Sequence, residues 1–299
     1  MRFSNPLWHV PRRPRGSRRR FSPASPLSAL GIAAIAASGP AHADSLPLWE
    51  AGAGVSALSL PDYRGSDHQS TYVLPFPYVI YRGDIFKVDR EGMRAKFFES
   101  DRIQFDVSGG GSVPVSSSSD RARNGMPDLR PTLEIGPVVQ YRAWRAADGA
   151  SHVDVRLPVR RALTYENGRI VDVGTVAAIQ FAWDRSLRFD SGSGNLGVLA
   201  GPLFGDRRQH DYFYAVAPGY ATASRPAYAA RGGYAGSQAT AAFSRRAGRL
   251  WFGAYVRYDD LHGAVFEDSP LVVRHSAVAG GLGIAWVFGA SSRLVEAAP

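Results

Sequence analysis

The chain has 299 residues, a net charge of +9, 45% hydrophobic residues, 6 Trp, 13 Tyr and 15 Phe, and no cysteine. The lack of cysteine excludes a disulfide framework and thiolate chemistry, and no apolar run after the leader reaches the ~20 residues of a spanning helix. Seven of the nine excess charges sit at the start, on Arg2, Arg12, Arg13, Arg15, Arg18, Arg19 and Arg20 with no acid up to residue 43, so a nucleic-acid role loses its compositional support.

Residues 1–43 read as a secretory signal peptide. The basic start is followed by the short apolar stretch Leu27 to Ala37 and the small-x-small site Ala41-His42-Ala43, with cleavage expected before Asp44. Ser17 to Phe21 also fits a twin-arginine signal. General secretion is favoured, because a barrel must stay unfolded until it has been exported. Residues 44–299 read as one β-barrel domain.

After the leader, period-two alternation recurs along the chain. Ile103, Phe105 and Val107 oppose Arg102, Gln104, Asp106 and Ser108. Val153, Val155, Leu157 and Val159 oppose His152, Asp154, Arg156 and Arg160. The same pattern runs through 132–143, 170–184 and 250–259. Segments of ten or more residues with aromatics at their ends, such as Tyr141 and Trp144 or Phe181 and Trp183, favour tilted transmembrane strands over a soluble sandwich. The expected fold is all-β, a transmembrane antiparallel β-barrel. Twelve strands are expected, near 48–60, 70–83, 91–98, 102–115, 131–145, 150–163, 169–184, 195–204, 211–217, 231–244, 249–260 and 276–288. Ten remain if the two weakest, 91–98 and 211–217, fail. Leu282, Ile284, Trp286 and Phe288 end the last strand on an aromatic, as barrel assembly signals do, but Gly289 to Pro299 extends beyond it.

Four pieces stand apart from the strand pattern. Leu60 to Asp67 (LPDYRGSD) is turn chemistry built on Pro61, Asp62, Tyr63, Gly65 and Ser66. Val73 to Asp84 (VLPFPYVIYRGD) carries Pro75 and Pro77, then Tyr81, Arg82 and Gly83. Arg123 to Pro137 (RNGMPDLRPTLEIGP) holds Arg123, Gly125, Met126, Pro127, Asp128, Glu134, Gly136 and Pro137. Asp268 to Val272 (DSPLV) holds Ser269 and Pro270. Prolines at i and i+2 remove two donors on one side of a strand only. An edge open around Phe76 is therefore expected, met by the turn 61–66 and by 123–129 and offering a docking edge; a plain strand end is the alternative.

Together these pieces resemble the MipA/OmpV family of Gram-negative outer-membrane proteins. The resemblance implies a cell outer-membrane barrel in contact with lipid and a non-enzymatic scaffold that brings a lytic murein transglycosylase together with a murein synthase. A small-solute channel or an adhesin is the alternative. The residues named in the four pieces are the expected structural or partner motif.

No cofactor, metal or catalytic residue is expected. Gly192-x-Gly194-x-x-Gly197 lacks the strand-to-helix setting of a dinucleotide loop and reads as a loop. His68, His152, His210, His262 and His275 show no i, i+4 metal spacing. Asp259-Asp260 with His262, and His210-Asp211, could be cast as a hydrolase at the barrel rim but read as solvated loop charges. The polar faces carry both charge signs, which suits a self-paired interior better than an ion-selective ring.

Overall fold

The computed structural model describes residues 45–82, 86–89, 92–95, 98–99, 102–190 and 192–296. The leader and Gly83 lie outside them. Strands come first: β1 (Ser45–Pro47), β2 (Trp49–Pro61), β3 (Gln69–Arg82), β4 (Phe86–Asp89), β5 (Gly92–Ala95), β6 (Phe98–Glu99), β7 (Ile103–Ser112), β8 (Thr132–Arg145) and β9 (Ser151–Glu166). β10 (Arg169–Ala178), β11 (Gln180–Phe189) and β12 (Gly192–Gly205) lead to one helix, α1 (Arg207–Tyr214). β13 (Gly233–Ala247), β14 (Leu250–Asp260), β15 (Ser276–Ala290) and β16 (Leu294–Glu296) complete the chain.

All but β1 and β16 belong to one antiparallel sheet, ordered β5-β4-β3-β2-β15-β14-β13-β12-β10-β9-β8-β7-β6, with β11 between β12 and β9. Its two ends, β5 and β6, are nearly consecutive in the chain, and β5 lies beside β7, so the sheet closes on itself. β1 pairs with β16 as a separate ribbon at the chain ends. The last long strand, β15, pairs with β2 along its length, which seals first strand to last.

Beyond a bulge between Asp172 and Gly174, β10 and β11 hold one register against β9, from Gly174↔Ala162 through Ala177↔Val159 to Gln180↔Arg156. The interruption at Ile179 falls where Pro158, which has no N–H to donate, stands on β9; on the other side Ile179 donates its N–H to the Pro202 carbonyl. Taking β10 with β11 and β5 with β6, the described residues form twelve rows, as expected, but not the expected twelve. Phe86–Asp89 is a strand that alternation did not reveal, and 211–217 is not a strand. Residues Arg207–Tyr214 are helical because Asp206 caps them, its carboxylate accepting the Gln209 N–H at 2.9 Å, and because His210 and Tyr214, four apart, bury one face. Gly192 to Gly197 opens β12 and is strand rather than loop.

The wall is inverted relative to a soluble protein. Val73, Leu133, Leu157, Ile170, Phe181, Leu282 and Trp286 are exposed, while Asp106, His152, Asp154 and Asp184 are buried within. Alternation dictates this, since successive side chains face opposite sides of a strand. Connections are short at the end that carries both chain termini. At the other end the connections between the long strands are long, apart from the Asn167-Gly168 hairpin, whose two positive φ values (48° and 81°) make the tight turn. In outer-membrane barrels the long loops face outward and the short turns face the periplasm.

Candidate functional site

Three of the four motif pieces meet at the long-loop end, where residues 61–68, 113–131, 206–232 and 261–275 fold into a cap. Its apolar core joins Tyr63, Val115, Leu129, Tyr214, Val216, Leu261, Phe266 and Leu271, with Met126 packed on its side. Tyr214 stacks on Phe266 at 3.7 Å and meets Tyr63 edge-on at 6.2 Å.

Polar bonds tie the loops together. The Tyr63 hydroxyl donates to the Leu271 carbonyl at 2.8 Å, and the Tyr214 hydroxyl to the Arg64 carbonyl at 3.0 Å. The Ser66 hydroxyl donates to Asp120 at 2.6 Å, and that carboxylate also accepts the Ala122 and Arg123 N–H groups. Arg123 spends its guanidinium on Ser117 and on the Phe213 and Pro127 carbonyls, and it lies over the Tyr63 ring. Ser269 donates to the Tyr214 carbonyl at 2.8 Å. Arg225 reaches the Ala122 and Asn124 carbonyls from the loop after α1. Arg64 enters the barrel mouth, where it pairs with the buried Asp259 at 3.0 Å and donates to the Ala235 carbonyl. Loops carry backbone groups that no ladder satisfies, and these side chains take over that role.

The motif residues divide accordingly. Asp62 accepts from His68 and Ser70 beside Pro61. Gly65, at φ +103°, offers its carbonyl to the Val273 and Arg274 N–H groups, and an added Cβ there would press on Leu261 at 3.1 Å. Gly125 makes the turn at φ +83°, Asp128 accepts the Ser117 N–H at 2.7 Å, and half-buried Pro270 stands between Ser269 and the core residue Leu271. Glu134 faces the lumen 3.5 Å from Arg160; Gly136 leaves room for the Val159 carbonyl, and Pro137 faces outward.

Pro75, Pro77, Tyr81 and Arg82 lie elsewhere. β3 pairs with β2 without a break from Pro61↔Gln69 to Trp49↔Tyr81, with both prolines facing outward. On the other edge β4 pairs only with Tyr81 and Arg82, so among the described residues the edge at Pro75 and Pro77 has no strand partner. The expectation that the turn 61–66 and segment 123–129 would meet that edge is corrected: those pieces meet each other in the cap. Pro75 is six extended residues, about 20 Å, below the turn.

Below the cap, β7–β11 line the lumen with charge. Arg142 pairs with Asp154, Gln140 donates to Asp106 at 2.6 Å, and His152 Nε2 lies 3.7 Å from both Asp154 and Asp184. The facing wall is apolar near the short turns, where Phe76, Tyr78, Ile80, Trp251, Ala285 and Val287 cluster.

The pairs cast as a rim hydrolase serve other ends. Asp259 is held by Arg64, Arg257 and Gln238. His210 donates Nδ1–H to the Arg231 carbonyl at 2.6 Å, its ring is 4.7 Å from Phe266, and Asp211 accepts the Ala230 N–H. Burial lowers the His210 pKa, raises those of Tyr63 and Tyr214, and pulls the Arg123 guanidinium below its ordinary range. His210 and the helix bearing it were missed as structure. The N-cap Asp206 before an i, i+4 aromatic pattern was the available signal.

A closed antiparallel ladder, apolar outside and charged within, defines an outer-membrane β-barrel. The model of the MltA-interacting protein MipA family matches residues 53–288, and the chain belongs to that family. Similar solved structures include a NanC porin (10% identity, 80% of this chain and 98% of that one, TM-score 0.31) and a bacterial polysaccharide outer membrane secretin (11%, 80% and 99%, 0.36). The Pseudomonas putida toluene transporter TodX is another (8%, 88% and 99%, 0.30). Among curated proteins no sequence matches.

Proposed function

We propose that this chain is a non-enzymatic outer-membrane scaffold that joins a lytic murein transglycosylase to a murein synthase, exported by cleavage after Ala43. The family description supports the first partner, since it names interaction with MltA. The observation that carries the scaffold reading is the self-paired interior: charges of both signs pair between β8 and β9, and from β9 to Asp184 on β11, under a cap knitted from four loops. Such a barrel is a rigid anchor. The murein layer lies on the periplasmic side, where the short turns and the β1–β16 ribbon present the surface for partners. The motif residues of the cap sit at the opposite end, and their role is structural.

Affinity capture from envelope extracts tests this. The transglycosylase and the synthase should be recovered with the full-length chain, and fewer of both when Leu294–Pro299 is removed. Recovery of neither removes the reading. Steady single-channel conductance in a planar bilayer would replace it with a small-solute channel.

A further inference from the structure

The two ends of the barrel differ in charge. Three consecutive short turns and the strand ends that flank them, residues 145–151, 185–194 and 245–251, hold six arginines and two acids. The four cap loops at the other end, 61–68, 113–131, 206–232 and 261–275, hold nine arginines and eight acids. The excess at the short-turn end is organised. Arg188, Ser193, Arg246 and Trp251 form one row across β11, β12, β13 and β14. Residues paired in register share a face, and Trp251 is buried in the apolar cluster of the lumen, so Arg188 and Arg246 face the lumen mouth. Arg145 stands in register with the buried His152, which turns it inward too. Arg249 lies in the turn between β13 and β14.

Arg246 is held by Glu50 at 2.9 Å, whereas Arg145, Arg188 and Arg249 are exposed and have no carboxylate partner among the described residues. Of the two acids in the turns, Asp148 accepts the Ala150 N–H at 2.9 Å, and Asp190 is one charge beside Arg188. A guanidinium presents a planar fork that matches a carboxylate. Arg188 and Arg246 stand two strands apart, roughly 10 Å, which suits a peptide carrying several carboxylates better than one small anion. The inward side of the row also separates its occupant from lipid. Outward side chains such as Trp144 and Phe181 meet the membrane, while the mouth opens on water.

We propose that this arginine-lined mouth binds acidic peptide, and that its occupant is the peptide stems of murein, which carry free carboxylates. Its place on the murein side of the membrane rests on the scaffold reading above. Arg145, Arg188 and Arg249 make the contacts, and Arg246, braced by Glu50 and lying 6.0 Å from the Tyr78 ring, adds its field to theirs. The barrel thereby holds the polymer itself as well as the enzymes that act on it.

The test is sedimentation of the full chain, refolded in detergent, with purified murein sacculi stripped of protein. The parent should pellet with the sacculi at about 0.1 M salt and be released towards about 1 M, as screening weakens the contacts. Combining Arg145→Gln, Arg188→Gln and Arg249→Gln should weaken binding about tenfold. The same exchange at the cap end, Arg169→Gln, Arg207→Gln and Arg274→Gln, should leave it unchanged. Soluble stem peptide should compete, and the same peptide with its carboxylates amidated should not. Heat-modifiable migration verifies that each variant retains its barrel. The proposal is overturned if the parent stays in the supernatant, if the mouth variant pellets as the parent does, or if the amidated peptide competes equally. It is also overturned if the mouth variant loses binding to phosphatidylglycerol vesicles and keeps binding to sacculi. Sacculi free of protein keep this test separate from capture of the two enzymes, so either can fail without the other.

Discussion

The cap and the barrel wall obey opposite rules within one chain. In the cap, Tyr214, Phe266, Leu261 and Leu271 are inside, while Arg121 and Arg207 are outside. In the wall, Ile170, Val73 and Leu282 point outward, while Asp154, Asp184 and His152 point in. The difference lies in the solvent: the cap meets water, the wall meets hydrocarbon. Backbone satisfaction differs as well. Ladder bonds serve the wall, whereas Tyr63, Arg123, Arg225 and Ser269 serve carbonyls in the cap. A barrel can therefore carry a soluble-style core at its mouth, each part with its own points of weakness.

Emptying the cap core is expected to have the largest effect. Phe266→Ala removes the stacking partner of Tyr214 and the neighbour of His210, at a cost of about 3–5 kcal/mol. Protease cleavage within 206–232 and 261–275 should accelerate while heat-modifiable migration of the barrel persists. Loss of both together would mean that the two regions fold as one unit.

The wall should respond to charge instead. Leu157→Arg, between Val139 and Ile179 on the lipid face, should cost about 2–4 kcal/mol in folding into vesicles. Val155→Arg should cost less, because Tyr141 and Phe181 beside it mark the interfacial belt. Equal costs would move the belt.

Smaller effects separate local from tertiary support in the cap. Asp206→Ala removes the N-cap of α1 and the acceptor of the Thr175 N–H, at about 0.5–2 kcal/mol, read from the urea dependence of cap proteolysis. His210 gives the mildest perturbation. Its folded pKa is lowered, so the unfolded chain binds more protons once the pH falls below about 6.5. Its contribution is complete above that pH and drains away as the pH falls towards the folded pKa. Cap proteolysis should therefore rise on acidification, and the rise should vanish in His210→Gln.

Strand faces were legible in the sequence because lipid forces a two-residue period. Val155 and Arg156 fall on the sides their neighbours imply. Phe86–Asp89 was hidden because four residues are too few to show a period. The strand expected at 211–217 gave way to the end of α1, because the aromatics Tyr212, Phe213 and Tyr214 read as a strand and outweighed Asp206. Pro75 and Pro77 pointed to an edge that has no strand partner among the described residues, but not to where the turn 61–66 goes, since sequence carries no distance between 61–66 and 75–77.

By itself the sequence determined the barrel, its inside and outside, the turn chemistry of 61–66 and the four family-like pieces, for these depend on local alternation and local backbone preference. Only the tertiary structure decided that Tyr63, Asp120, Arg123, Tyr214 and Ser269 form one cap. Those contacts join residues tens to hundreds of positions apart, and their partners are set by how the closed sheet brings its loops together.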